Sequence, residues 1–374
     1  MPEKIKVLVV DDSAFSRQTI KNMLLKAPMV DVTGIAVDGI DAIRKTLRYR
    51  PDIITLDLEM PEMDGFSFLR WLMRESPTPV IMVSSHSDSR TVFKALELGA
   101  VDFIAKPTRR ASFELHNIEN DLLAKVRNID ASSLSKLNRN LNSIPSRKPL
   151  ETVPAFSNKH PDRIVAIGAS TGGPQALQLI LTGMPGNFPA PIVISQHMPG
   201  GFTGSFAERL NRLSAIRVKE AEDDEPLEPG KALICPGGCH LLLKTGNDRI
   251  YARLKNAEDN DRYVPSINLM MESVAKIFKD RTLGVVLTGM GNDGTRGMVE
   301  IFRRGGYTIT ESEETAVVFG MPREVIKAGA AQRILPLSEV SSELVKVVMK
   351  EKQLAPSRWK KVIFSVKRKI NQDG

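Results

Sequence analysis

The chain has 374 residues, 42% of them hydrophobic, which allows two to three domains with real cores. Two cysteines exclude a disulfide framework and point to reduced thiols, while a formal charge of +8 raises nucleic acid or an anionic surface as partners to be weighed. The opening MPEKIKVLVVDDS is too short an apolar run for a signal peptide, and no stretch of 18 apolar residues follows, so a soluble cytoplasmic protein is expected.

In the first third, apolar runs stop at polar groups. KIKVLVVDDS ends at Asp11 and Asp12, PDIITLDLEMPEMDG at Asp57, PTPVIMVSSHS at Ser84, and VDFIAKP at Lys106. Helical segments such as AFSRQTIKNMLLKA, GIDAIRKTLRYR and SRTVFKALELGA lie between them, giving five βα units and a doubly wound parallel sheet covered on both faces. Asp11 and Asp12 could merely cap the first helix, but capping leaves Asp57 and Lys106 without a role. Clustered carboxylates repel unless a cation sits among them, and an oxygen-rich site suits Mg²⁺. A phosphoryl group on Asp57, held by Mg²⁺, the Ser84 hydroxyl and the Lys106 ammonium, accounts for the whole set.

These motifs (VVDDS, TLDLEMPEMDG, MVSS and AKP) resemble those of a two-component receiver domain, a flavodoxin-like fold, over residues 1–130. The resemblance implies that Asp57 is the phosphoacceptor. It further implies that Asp12 is a direct magnesium ligand, Asp11 a ligand through water and Glu59 a ligand through its carbonyl, with Phe103 at the switch aromatic position. A phosphodonor would be a histidine kinase.

Residues 131–161 are rich in Ser, Asn and Pro without apolar periodicity and read as a linker. Beyond it, IVAIGASTGGP delivers Ser170 between glycines at the end of an apolar strand, the pattern of a nucleophile elbow. APIVISQHMP places His197 after the next apolar run, and LGVVLTGMGNDG places Asp293 in a glycine-rich loop after a third. A serine hydroxyl needs an imidazole to take its proton and a carboxylate to orient that imidazole. Because the carboxyl ends of parallel strands converge on one edge, these distant residues can meet there, in a second doubly wound α/β domain with a mainly parallel sheet. The order Ser, His, Asp differs from that of α/β hydrolases.

Three other readings compete with the triad. GASTGG reads as a dinucleotide fingerprint, but Ser170 occupies the middle glycine and the next strand ends in Ser195, Gln196 and His197 rather than an acid. His240, after CPGGC, is a rival base. Together with Cys235 and Cys239 it suggests a metal, but three ligands in six residues lack the four of a closed zinc site. His86, His116 and His160 need no role beyond loop or surface.

Residues 162–350 resemble the catalytic domain of the chemotaxis protein-glutamate methylesterases, through IGASTGGP, SQHMP, CPGGCH, SINLMMESVA and LTGMGNDG. That resemblance implies hydrolysis of glutamyl methyl esters on the cytoplasmic domains of methylated chemoreceptors, releasing methanol, with deamidation of receptor glutamines as a second activity. It assigns the triad to Ser170, His197 and Asp293 and the oxyanion region to Thr171 and the backbone amide of Met290, with no cofactor for the esterase reaction. It also implies a receiver that covers the active-site edge until Asp57 is phosphorylated. A non-catalytic receptor-binding adaptor is the alternative of a different class.

The tail, residues 351–374, holds seven Lys or Arg against Glu351 and Asp373. Trp359, Ile363, Val366 and Ile370 recur at spacings of four and three, so a basic amphipathic helix on an anionic membrane stands beside a packed helix and a solvated tail as readings. No helix-turn-helix module follows the receiver, which argues against nucleic acid as a partner.

Overall fold

The structure is a computed structural model that describes residues 4–84, 89–106, 112–142, 161–246 and 249–350. The first sheet holds β1 (Ile5–Val10), β2 (Val30–Ala36), β3 (Ile53–Asp57), β4 (Val80–Ser84) and β5 (Asp102–Ala105). Its order is β2-β1-β3-β4-β5 and every pairing is parallel, as the run of βα units predicts for a flavodoxin-like domain. The crossover helices are α1 (Ala14–Leu25), α2 (Gly39–Tyr49), α3 (Gly65–Glu75) and α4 (Ser89–Glu97), and α5 (Ser112–Asn128) follows β5. Asp38 and Asp64 cap α2 and α3 by accepting from the amides of Asp41 and Ser67, each cap contributing about 1 kcal/mol. At α1 the cap is Ser13, not Asp11 or Asp12, which leaves both carboxylates to the sheet edge.

Residues 131–142, read as linker, instead form helix α6 (Ala131–Asn142). Asp130 accepts from the amide and hydroxyl of Ser133, and Leu134 and Leu137 are buried at a spacing of three. The Ser and Asn residues around them mask that short stripe in the sequence. Residues 143–160 lie outside the described residues, as do His86, His160 and the tail 351–374.

The second sheet contains β6 (Ile164–Ala169), β7 (Ile192–Gln196), β8 (Arg217–Glu220), β9 (Lys231–Ile234), β12 (Thr282–Val286), β13 (Tyr307–Glu311) and β14 (Arg333–Leu335). It runs β14-β13-β12-β6-β7-β9-β8, parallel throughout. A separate antiparallel hairpin, β10 (Cys239–Gly246) with β11 (Arg249–Asn256), leads to helix α9 (Ile267–Phe278). The helices α7 (Gly173–Thr182), α8 (Thr203–Leu213), α10 (Thr295–Arg303), α11 (Met321–Lys327) and α12 (Leu337–Lys350) complete the layers. Phe188, Phe202, Phe206 and Phe278 are fully buried, each stabilising the domain by up to about 3 kcal/mol.

The two domains share a core. Phe93 of α4 stacks on Phe206 of α8 with ring centroids 5.2 Å apart, and Phe103 of β5 lies 4.8 Å from Phe202. Gln175 of α7 donates to the Ala100 carbonyl at 3.1 Å, Ser133 donates to the Val317 carbonyl at 2.9 Å, and Arg209 pairs with Glu97.

Candidate active site and phosphorylation site

Strand order explains the meeting of the three chemical residues. β6 is flanked by β7 on one side and β12 on the other, so Ser170, His197 and Asp293 leave three adjacent strands at one edge. Gly172, at φ 75°, turns the chain from β6 into α7 in a conformation that side chains rarely adopt. On the facing loop, a Cβ on Gly289 would stand 2.6 Å from the Ser170 Cβ, so only glycine lets the two loops approach this closely.

The Ser170 Oγ lies 3.2 Å from His197 Nδ1, and His197 Nε2 lies 2.9 Å from Asp293 Oδ2. A carboxylate can only accept, so Nε2 carries the proton and Nδ1 is the base, the reverse of the ring orientation in the trypsin-like triad. Asp293 is fully buried and accepts from the amides of Ile267, Asn268 and Gly294 at 2.7, 2.9 and 3.0 Å. Burial alone would raise its carboxyl, but the hydrogen bond and charge of His197 and the Ile267 and Asn268 amides outweigh burial and hold it below the usual carboxylate range. Asp293 therefore stays ionised beside the imidazole.

Around the nucleophile, the Thr171 hydroxyl is buried and has no hydrogen-bond partner. Such a group costs about 1–3 kcal/mol unless a ligand oxygen completes it, which suits an oxyanion donor. Met290 is half-buried on the facing loop. Thr288 ties that loop to the elbow: its carbonyl accepts from the Ser170 amide at 3.0 Å and its hydroxyl donates to the Thr171 carbonyl at 2.8 Å. Glu311, buried in β13, accepts from the Thr288 amide and the Thr315 hydroxyl.

Several contributors have no motif. Gln196 donates to the carbonyls of Ser170 and His197 at 2.9 and 3.0 Å and clamps the two strand ends together. Tyr263 stacks on the His197 ring, centroids 5.1 Å apart and planes 6° from parallel. SQHMP and the segment before SINLMMESVA contain both residues, but only the fold reveals the contacts. His240 stands outside the triad, 2.8 Å from Asp261. Cys235 and Cys239 are free thiols, and burial pushes the Cys235 thiol far up, which makes it inert.

At the other sheet edge, Asp11, Asp12 and Asp57 offer oxygens within 4.8 Å of one another, the one such cluster of potential ligands among the described residues. Lys106 Nζ lies 2.5 Å from Asp57 Oδ2 and 3.6 Å from Asp11 Oδ2. Burial, then the charge of Asp57, raises the Asp11 carboxyl to about 6 against the pull of Lys106, and its Oδ2 is buried without a hydrogen-bond partner. Burial likewise raises Asp57 despite its bond to Lys106. One ammonium among three carboxylates leaves negative charge and an orphaned oxygen, so the residues fit a divalent cation. Glu59 and Asp12 line the same open depression with Met60, Pro61 and Phe66. Ser84 closes β4 opposite Ala105, and its side chain lies outside the described residues, as does that of His116.

The receiver reaches the triad through α5. Asn128 donates to the Met290 sulfur at 3.4 Å. Lys125 bridges Asp121, Asp102 and the Phe103 carbonyl at 3.1, 3.2 and 2.5 Å, linking Phe103 to the same helix.

The CheB methylesterase family matches residues 165–344, and the response regulator receiver domain matches residues 7–116. A Geobacter sulfurreducens protein called protein-glutamate methylesterase/protein-glutamine glutaminase 3 is 48% identical over 91% of this chain and 97% of its own. A Thermotoga maritima protein called protein-glutamate methylesterase/protein-glutamine glutaminase is 42% identical over 92% of this chain and 98% of its own. The crystal structure of the Thermotoga maritima CheB methylesterase catalytic domain shares 45% identity, covering 50% of this chain and 98% of that one with a TM-score of 0.49.

Proposed function

This chain belongs to the CheB methylesterase family, and from that premise we propose that Ser170, His197 and Asp293 hydrolyse glutamyl methyl esters on chemoreceptor cytoplasmic helices. The observation that carries the reading is the continuous hydrogen-bonded line from Ser170 Oγ through His197 to Asp293. His197 Nδ1 takes the Ser170 proton as Oγ attacks the ester carbonyl, and Asp293 stabilises the imidazolium. The Thr171 hydroxyl and the Met290 amide serve the oxyanion. The tetrahedral centre collapses, the C–O bond to methoxide breaks, and Nδ1 returns its proton so that methanol leaves. Water then attacks the acyl-serine by the same route and releases glutamate. With a glutamine side chain, ammonia leaves instead of methanol, which is the deamidation.

Control lies in the receiver. Asp57 is the phosphoacceptor, Lys106 and the Ser84 hydroxyl contact the added oxygens, and a chemotaxis histidine kinase supplies the phosphoryl group. Asp11, Asp12, Asp57 and the Glu59 carbonyl would hold Mg²⁺, whose charge offsets that of the phosphoryl oxygens. Phosphorylation then loosens α5 from the Met290 loop. No described helix is long and apolar enough to cross a membrane. A cytoplasmic enzyme acting on a membrane receptor suits a basic tail that touches anionic lipid, and unchanged vesicle binding after deletion of residues 355–374 would end that part.

The test is methanol release from a methylated receptor cytoplasmic fragment, with and without Mg²⁺ and acetyl phosphate. Release that rises with the phosphodonor supports both sites. Release that ignores it removes the gating, and no release favours a different ester or an adaptor.

A further inference from the structure

We propose that His240 is a positioning residue for the triad, acting through the loop that joins β11 to α9. The proposal deepens the triad reading above and rests on it. His240 is fully buried at the start of β10, and both its ring nitrogens are engaged. The Ser266 amide donates to Nδ1 at 3.0 Å, and Nε2 stands 2.8 Å from Asp261 Oδ2. A backbone N–H can only donate, so Nδ1 is bare and Nε2 carries the proton to Asp261.

Each of those bonds leads to the active site by a separate path. Ser266 is the cap of α9, accepting from the Leu269 amide at 3.3 Å, and its hydroxyl lies 3.4 Å from Asp293 Oδ1. The next two amides, of Ile267 and Asn268, are donors to Asp293. Fixing the Ser266 backbone thus fixes where those donors point. Asp261 also accepts from the Glu258 amide at 2.7 Å, which closes the turn two residues before Tyr263. Tyr263 in turn lies flat on His197, with its hydroxyl 3.4 Å from Asn292 Oδ1. One buried ring therefore fixes the donors of the triad's acid and the platform of its base.

The two paths separate by substitution. The amide oxygen of Asn stands near the place of Nδ1, and the terminal amide of Gln near the place of Nε2. His240→Asn keeps an acceptor for Ser266, whereas His240→Gln keeps only the bond to Asp261.

The experiment uses the full chain with acetyl phosphate and Mg²⁺, measures methanol release, and adds spectra of ¹⁵N-labelled imidazoles. His240→Gln is expected to lower kcat by about 30-fold, as a displaced catalytic group does, while His240→Asn stays within about 3-fold. KM should hold in both, because the base and acid act on the transition state. Wild-type spectra should show His240 protonated at Nε2 and bare at Nδ1, and the His197 resonances should move in His240→Gln. Equal losses in both variants that track a fall in melting temperature would mean a core histidine only and would overturn the proposal, as would two unchanged kcat values or a protonated Nδ1. Should neither variant fold, Asp261→Ala, which frees the Glu258 amide as well as the His240 ring and so loosens the turn before Tyr263, must lower kcat at unchanged KM, and an unchanged kcat overturns the proposal. A wild type that releases no methanol would sink the ester reading alone. The spectra need no substrate, and His197 resonances unmoved by His240→Gln would still overturn the positioning role of His240.

Discussion

Asn128 and Met290 belong to different domains, yet the amide of the first donates to the sulfur of the second at 3.4 Å, on the loop that faces the nucleophile. Regulation needs little energy if it acts there, since a coupling of about 1–3 kcal/mol gives roughly 5- to 150-fold activation. Asn128→Ala should raise the rate without phosphodonor by about 3-fold, the worth of one weak hydrogen bond, and leave the fully phosphorylated rate alone. Methanol release before and after acetyl phosphate checks this. An unchanged basal rate would mean that the contact restrains nothing.

Asp57→Asn keeps the shape of the receiver edge but removes the acceptor oxygen. Basal hydrolysis should persist and the response to acetyl phosphate should vanish. A response that survives would place the phosphoryl group elsewhere.

Within the triad, Ser170→Ala should lower kcat by roughly 10⁴ to 10⁶, and Asp293→Asn by roughly 10⁴ because an amide turned toward Nε2 favours the wrong tautomer. Asn also offers one acceptor oxygen where the Asp293 carboxylate serves the amides of Ile267, Asn268 and Gly294. Steady-state kinetics on the receptor fragment decide both.

Gly289→Ala tests the close approach of the two loops. The new methyl would overlap Ser170, so kcat should fall by about 100-fold, the cost of roughly 1 Å of displacement, with the fold retained by circular dichroism. Full activity would show that the loop yields more easily than its contacts suggest.

Glu311 links the site to pH. Burial raises its carboxyl from 4.5 to about 7, against the hydrogen bonds from Thr288 and Thr315. A folded-state value above the unfolded one means that the folded chain holds the proton more tightly. The resulting stability is therefore complete below about pH 4.5 and is lost as pH rises through 7, a change of about 3 kcal/mol. Glu311→Gln should flatten that part of the profile. Urea unfolding at pH 5, 6, 7 and 8, taken as the difference between wild type and variant, measures it.

Much of this architecture was legible because strands buried on both faces are continuous apolar runs and their ends are abrupt. That is why Asp11, Asp57, Ser170 and His197 stood out. Asp293 was legible through its glycine-rich loop, although it lies seven residues past β12. The receiver's packing on the catalytic loops was not legible from pattern, since Phe103 and Phe202 look like any core residues until their partners are known. Helix α6 was missed although Leu134, Leu137 and Leu141 recur at spacings of three and four, because the Ser and Asn residues that surround them have the composition of a linker. His240 is conspicuous for its chemistry and reads as a rival base, but the donor that fixes its tautomer is a backbone amide, and backbone amides carry no residue-specific signal.

The nucleophile's strand lies between those of its base and its acid, so what is fixed is their arrangement across the sheet edge, while the route the chain takes among the three strands is free. A circular permutant opened in one of the crossovers would change the order in which Ser170, His197 and Asp293 are synthesised without moving any of them. Triad order along a chain is thus a record of connectivity, and carries no information about how the proton moves.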